Sequence, residues 1–330
     1  MSPSNPLKPG RGGALAKWSL RCSALVILFL ALGSPMPDHA VRAEAVSPAA
    51  VAQATDSSPA PAVQSVPVIA SPDLHGLSGR LRAFMGTPDA LIENPVLNSL
   101  LAASPSGRRP TSWPKLATPD GDSFTVVTLV PFGSAKDSGY GRYHVGTWPS
   151  DVMSVTSPRY AAPRGFIGVT PENQETSVST HFKMRDFLTH DQGDVWPKVL
   201  VLRPTLLDKL ELLRAELERE GLPSRLHVMS GFRTPQYNEQ GVVKGGRASH
   251  SRHMYGDAAD VFVDADQDGM MDDLNKDGKI TVADARVLRA AGERVEAEYP
   301  ALVGGLAAYP ANSAHGPFVH VDARGVKARW

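Results

Sequence analysis

Residues Ser251–Asp260 read SRHMYGDAAD and run at once into the apolar stretch VFV, Val261–Val263. His253 and Asp260 stand seven positions apart in it. A catalytic zinc commonly takes three side chains from His, Asp or Glu and keeps a fourth position for water. This pair would supply two. Gly256 lets the backbone turn between them, and Ala258 and Ala259 keep bulk away from an ion as the chain enters a strand. A third ligand must come from elsewhere. His320, in FVHVD, lies on a strand-like stretch whose alternation places it and Phe318 on one face. The competing reading is two polar residues on a turn that leads into a strand.

Around this stretch the hydrophobic pattern alternates between helix and strand. Pro204 stands at a helix start, and Leu206, Leu207, Leu210, Leu213 and Leu217 recur at helical spacing before Gly221 ends the run. RLHVMS, DAADVFVD and GPFVHVDAR read as strands, with a helix expected from about Val282 to Glu298. Helices interleaved with short strands predict an α+β domain over residues 171–330. Ahead of it, SFTVVTLVPF, GRYHVGTWP and RGFIGVT are β-like and predict a small β-rich domain over 75–170, to which no chemistry is assigned.

The N-terminus carries Lys8, Arg11, Lys17 and Arg21, then CSALVILFLALG (Cys22–Gly33), then small residues ending Val41-Arg42-Ala43. A cationic, then apolar, then small-residue sequence reads as an export signal over 1–43, cleaved after Ala43. The apolar run is shorter than the ~20 residues of a comfortable membrane span. Residues 44–74, rich in Ala, Pro and Ser, read as a disordered linker. The single cysteine, Cys22, lies within the signal, so a mature chain would hold metal through His, Asp or Glu alone. Lys and Arg total 34, as do Asp and Glu, so no net field favours nucleic acid.

Four separated segments resemble, in order, the zinc D-Ala-D-Ala carboxypeptidase and peptidoglycan endopeptidase family, the LAS-type metallopeptidases, whose fold is shared with the Hedgehog signalling domain. Ser251-x-His253-x-x-Gly256-x-Ala258-x-Asp260 matches its S-x-H-x-x-G-x-A-x-D motif. SGFRTPQYN (Ser230–Asn238) is similar to its S-G-[FY]-R-[ST]-P-x-Y-N segment, HFKMRDF (His181–Phe187) to its opening, and FVHVDARGVKARW to its closing strand. The resemblance covers about residues 178–330. It implies a Hedgehog-like zinc domain with His253, Asp260 and His320 as ligands. It also implies that Arg233 holds a substrate carbonyl or carboxylate. Relatives often carry a general base two or three residues ahead of the last ligand, where this chain has Phe318 and Pro317. His315 is favoured as base or oxyanion partner, and Asp322 comes second, as a base or as a group that orients a ligand. His250 is expected at the rim.

Residues 264–284, between the second and third expected zinc ligands, are rich in Asp. Asp273-x-Asn275-x-Asp277-Gly278-Lys279-Ile280-x-x-x-Asp284 fits a calcium loop and resembles an EF-hand or dockerin-type loop. A second register uses Asp264, Asp266, Asp268 and Asp272, followed in part by Asn275, so one ion or two is expected, in a structural role. The expected protein is thus an exported, periplasmic or cell-envelope zinc metallopeptidase acting on peptidoglycan peptides. The alternative is a catalytically inactive metal-holding cell-wall binding module, and a weaker third reading is a calcium-dependent adhesion protein.

Overall fold

The computed structural model describes residues 81–86, 116–117, 123–132, 139–154 and 157–330. The expected signal (1–43) and linker (44–74) lie outside them. Among the described residues no helix is long and apolar enough to cross a membrane.

Eleven strands are described: β1 (Leu81–Gly86), β2 (Leu116–Ala117), β3 (Ser123–Thr128), β4 (Val130–Pro131), β5 (Gly165–Val169), β6 (Lys198–Leu200), β7 (Leu226–Ser230), β8 (Ala258–Val263), β9 (Gly305–Tyr309), β10 (Phe318–Asp322) and β11 (Ala328–Arg329). The helices are α1 (Pro149–Val152), α2 (Pro204–Arg219), α3 (Pro235–Val243) and α4 (Val282–Glu298). The chain is therefore α+β, as its alternating periodicities predict.

The sheet that carries the site runs β11-β9-β10-β8-β7. Its central strand β10 pairs antiparallel with both β8 and β9. In this register His320 lies opposite Asp260, and Asp260 lies opposite Ser230 of β7 just past an irregularity in the β7 pairing. One row across three strands thus holds Ser230, Asp260 and His320. Val319 and Val321 alternate with His320 along β10 and lie in the same core as Ala285, Leu288 and Ala291 of α4. α4 packs against β9, β10 and α2.

Sequence explains both long helices. α2 opens on Pro204, and its Leu206, Leu207, Leu210, Leu213 and Leu217 are all buried. α4 opens with a capping box, in which the Thr281 hydroxyl accepts from Ala283 N and Asp284 accepts from Thr281 N at 2.8 Å.

The expected boundary at residue 170 falls inside continuous packing. β5 bonds to β4 on one side and to β6 on the other, and one hydrophobic core includes Met85, Val127, Trp148 and Phe166 with Leu210, Val261 and Val319. The indole N–H of Trp148 donates to the carbonyl of Met254 at 2.8 Å, inside the stretch Ser251–Asp260. GRYHVGTWP, read as β-like, is not a regular strand. It forms one isolated bridge, Tyr140 to Tyr143, and buries Tyr143, Val145 and Trp148 as separate anchors along an irregular segment. Two glycines within it adopt positive φ, Gly141 at +61° and Gly146 at +81°.

Candidate metal centre

Three elements bring the donors together. Ser251 begins a single 3₁₀ turn, Arg252–Tyr255, that ends on Gly256 in the left-handed region at φ +71°. A Cβ at Gly256 would lie 2.5 Å from the carbonyl oxygen of Val201, so this turn needs glycine for conformation and for space. The turn is fixed by a buried pair in which Arg252 donates through both Nε and Nη2 to the Asp257 carboxylate; its Nη1 bonds Arg159 O at 2.6 Å. It presents His253 towards the β8–β10 pair.

His253 Nε2, Asp260 Oδ1 and His320 Nδ1 form a compact triangle. The sides are 3.3 Å between the two imidazoles, 3.2 Å from His253 to Asp260 and 2.9 Å from His320 to Asp260. Ligand atoms about 2.0–2.1 Å from a tetrahedral zinc lie about 3.3 Å apart, so the set fits that ion. Each imidazole is oriented by its other nitrogen. His253 Nδ1 donates to Gly231 O at 2.7 Å, and His320 Nε2 donates to Asp322 Oδ2 at 3.1 Å, which leaves Nε2 of the first and Nδ1 of the second to face the ion.

All three donors are buried. Burial lowers the His253 pKa, against the pull of Asp260, so its imidazole is a neutral donor. Burial opposes the charge on Asp260 as well, but the two imidazoles outweigh it and hold the carboxyl well below its ordinary range. For His320 burial disfavours the cation, and hydrogen bonds to Asp260 and Asp322 reverse that and raise the pKa.

Arg233 donates to the other Asp260 oxygen through Nη2 and to Ser230 Oγ through Nε at 2.9 Å. The row of three strands therefore also anchors the guanidinium. Burial lowers its pKa and Asp260 opposes the shift. A cleft of about 960 Å³ opens over the donors and is lined by Arg233, Arg247, His190, His315, Tyr309 and Trp330.

The remaining expected residues fall in different places. His315 lines the cleft, edge-on to Phe318 with ring centres 4.8 Å apart. Its Nδ1 donates to Gly316 O at 2.8 Å, and its Nε2 accepts from Asn312 Nδ2 at 2.8 Å. The Asn312 amide is fixed in that sense because its Oδ1 accepts from the N–H groups of Ala314 and His315. Asp322 is not placed to act as a base. It is fully buried behind His320, and its oxygens accept from His320, Gly305 N and the Arg324 guanidinium. Those bonds hold its carboxyl far below the usual range despite burial. His250 sits at the cleft wall, edge-on to Tyr160, with no bond to a donor residue.

Sequence reading passed over His190 and Arg247. Burial lowers the His190 pKa, and the nearby Arg233 and Arg247 add to it, so it presents a neutral imidazole to the cleft. Its only sequence signal is its place three residues after the HFKMRDF segment. Arg247 lies over the Tyr237 ring, 4.1 Å from its centre.

In the Asp-rich insertion the residues of the preferred calcium register bond to backbone. Asp284 is fully buried and its carboxylate accepts from the N–H groups of Leu274, Asn275 and Thr281, so it caps α4 and pins the loop. Asp273, Asn275 and Asp277 accept from backbone N–H groups of their own loop, and Lys279 N donates to Asp277. Among the described residues, three acidic or His donors converge within 4.8 Å at two places: His253–Asp260–His320 and Asp264–Asp266–Asp268. Burial and the charges of Asp266, Asp264 and Asp268 raise the pKa of Asp272, which bonds Ala265 N at 3.0 Å.

Residues 180–281 match the family model described as Peptidase M15. This is the zinc D-Ala-D-Ala carboxypeptidase-like family that the four motifs resemble, and it is zinc-dependent. The match ends before His320, which joins the other two donors through its pairing with Asp260. No curated protein and no solved structure matches the chain.

Proposed function

We propose, from the Peptidase M15 match of residues 180–281 and from the donor triangle, that this protein is a zinc metallopeptidase hydrolysing amide bonds of peptidoglycan stem peptides or cross-links. The observation that carries the reading is the convergence of His253, Asp260 and His320 at 2.9–3.3 Å beside Arg233 in an open cleft. A zinc ion in such a set polarises a carbonyl and lowers the pKa of its bound water.

The chain's own residues supply the rest. Gly231 and Asp322 orient the two imidazoles. Arg233, anchored by Ser230, offers a fixed cation to a substrate carbonyl or carboxylate as charge grows on it. His315 would accept, at Nε2, the proton released by the attacking water, in place of the hydrogen bond that it now accepts from Asn312. Export to the periplasm or cell envelope, read from the N-terminal 43 residues, would place the protein beside this substrate. Asp273, Asn275 and Asp277, with the Lys279 carbonyl, would hold a structural calcium ion, and Asp284 would brace that loop through its backbone bonds.

Two features favour a second reading, a metal-holding cell-wall binding module. No carboxylate stands just ahead of His320, and the Nε2 of His315 is engaged by Asn312. Mass spectrometry of peptidoglycan fragments, after incubation with protein, with protein and chelator, and with His253→Ala, separates the two. The peptidase gives zinc-dependent loss of a terminal residue or opening of a cross-link that His253→Ala abolishes. Unchanged fragments with one zinc bound per chain would establish the binding module.

A further inference from the structure

Strand β8 does not end in a neutral turn. Its last residue, Val263, is followed by Asp264, whose N–H bonds Arg225 O and which is only 4% exposed. Asp264 Oδ1 is buried with no hydrogen-bond partner. The group facing the other oxygen is the His227 imidazole, stacked on Phe262, with Nδ1 3.9 Å from Oδ2 and thus beyond hydrogen-bonding reach. A buried, unpaired carboxylate is costly and calls for a compensating charge.

The chain then turns so that Asp266 and Asp268 each bring an oxygen to within 4.8 Å of one from Asp264. Oxygens around one calcium ion sit 2.3–2.6 Å from it, so they lie within about 5 Å of each other. The three carboxylates match that span.

We propose that Asp264, Asp266 and Asp268 form a calcium site of their own, separate from the zinc-type donors and from the loop 273–284. Its ligands are hard oxygens on an exposed loop, the kind that suits calcium better than the rigid octahedron of magnesium. The ion neutralises Asp264 at the end of the strand that carries Asp260. Only an effect on the cleft rests on the peptidase reading; the binding itself does not.

The test is calcium and zinc content per chain after equilibrium dialysis of the zinc-loaded full-length protein against calcium chloride. It compares wild type, Asp266→Asn with Asp268→Asn, and Asp277→Asn. Both residues of the double variant are exposed, so its fold is expected to survive, which near-ultraviolet circular dichroism checks. The double variant should lose one calcium equivalent relative to wild type, while Asp277→Asn keeps that equivalent and equimolar magnesium fails to displace it. Equal calcium content in the double variant and wild type would overturn the proposal, as would Asp277→Asn binding none. Zinc content, read on the same samples, reports separately on the donor set of the peptidase reading.

Discussion

Asp322 touches no open space, yet it decides which nitrogen of His320 is free for an ion. Its carboxylate accepts the hydrogen bond of the Nε2–H and is itself held by Arg324 and by Gly305 N. Asp322→Asn should keep the fold and raise the zinc Kd about 10–100-fold, measured by competition with a chromophoric chelator. Tyr255, two residues after His253, shows the opposite economy: its buried hydroxyl has no hydrogen-bond partner, and burial pushes its pKa up to about 12, against the pull of Arg252. A phenol whose folded pKa is raised contributes stability that is whole below its unfolded pKa of about 10 and is lost as pH rises towards the folded value. Melting temperature should therefore fall between about pH 10 and pH 12, and Tyr255→Phe should flatten that fall without loss at pH 7. His253, Asp260 and His320 were legible in sequence as a donor set because the motif resemblance names them, and the strand register brings them together. For Asp322 the sequence offered two roles, base or orienting group, and could not choose between them, since which ring nitrogen it binds depends on the rotamer of His320.

At the scale of elements, legibility followed periodicity. The leucine spacing located α2, and the interval 282–298 of α4 coincides with the helix expected there. β7, β8 and β10 fall within their expected stretches. β9, GLAAY, went unseen because small residues carry no alternation, and it is defined by pairing with β10 and β11. GRYHVGTWP misled for the converse reason, since aromatic residues spaced along an irregular chain imitate a strand. The 3₁₀ turn of the metal motif is the most demanding short element. Gly256→Ala adds a positive-φ penalty to a clash with Val201 O. It should cost at least about 1–3 kcal/mol in denaturant unfolding and weaken zinc binding by displacing His253.

Across the whole molecule, a buried ionic network joins parts distant in sequence. Lys209 of α2, fully buried, donates to Glu296 of α4 and to Asp322 O of β10, each at 2.6 Å. Glu296 also accepts from Gly304 N and pairs with Arg329 of β11. Burial lowers the Lys209 pKa, and Glu296 opposes it. Removing one partner of such a pair strands the other, so Lys209→Met should cost about 3–5 kcal/mol. In a double-mutant cycle, adding Glu296→Gln should cost much less than its effect alone. This network was invisible in sequence, where Lys209 reads as a polar position on an amphipathic helix. The core that continues across residue 170 was hidden likewise, because composition along the chain does not report which distant residues pack together.

The row Ser230–Asp260–His320 carries a consequence for how the chain reaches this sheet. Side chains alternate faces along a strand, so sliding β10 by one residue against β8 would turn His320 away and bring a valine beside Asp260. Such a misaligned sheet could still pair its backbone, but it could not load the ion. With zinc held as proposed, metal uptake would favour those chains whose two central strands have met in the correct frame.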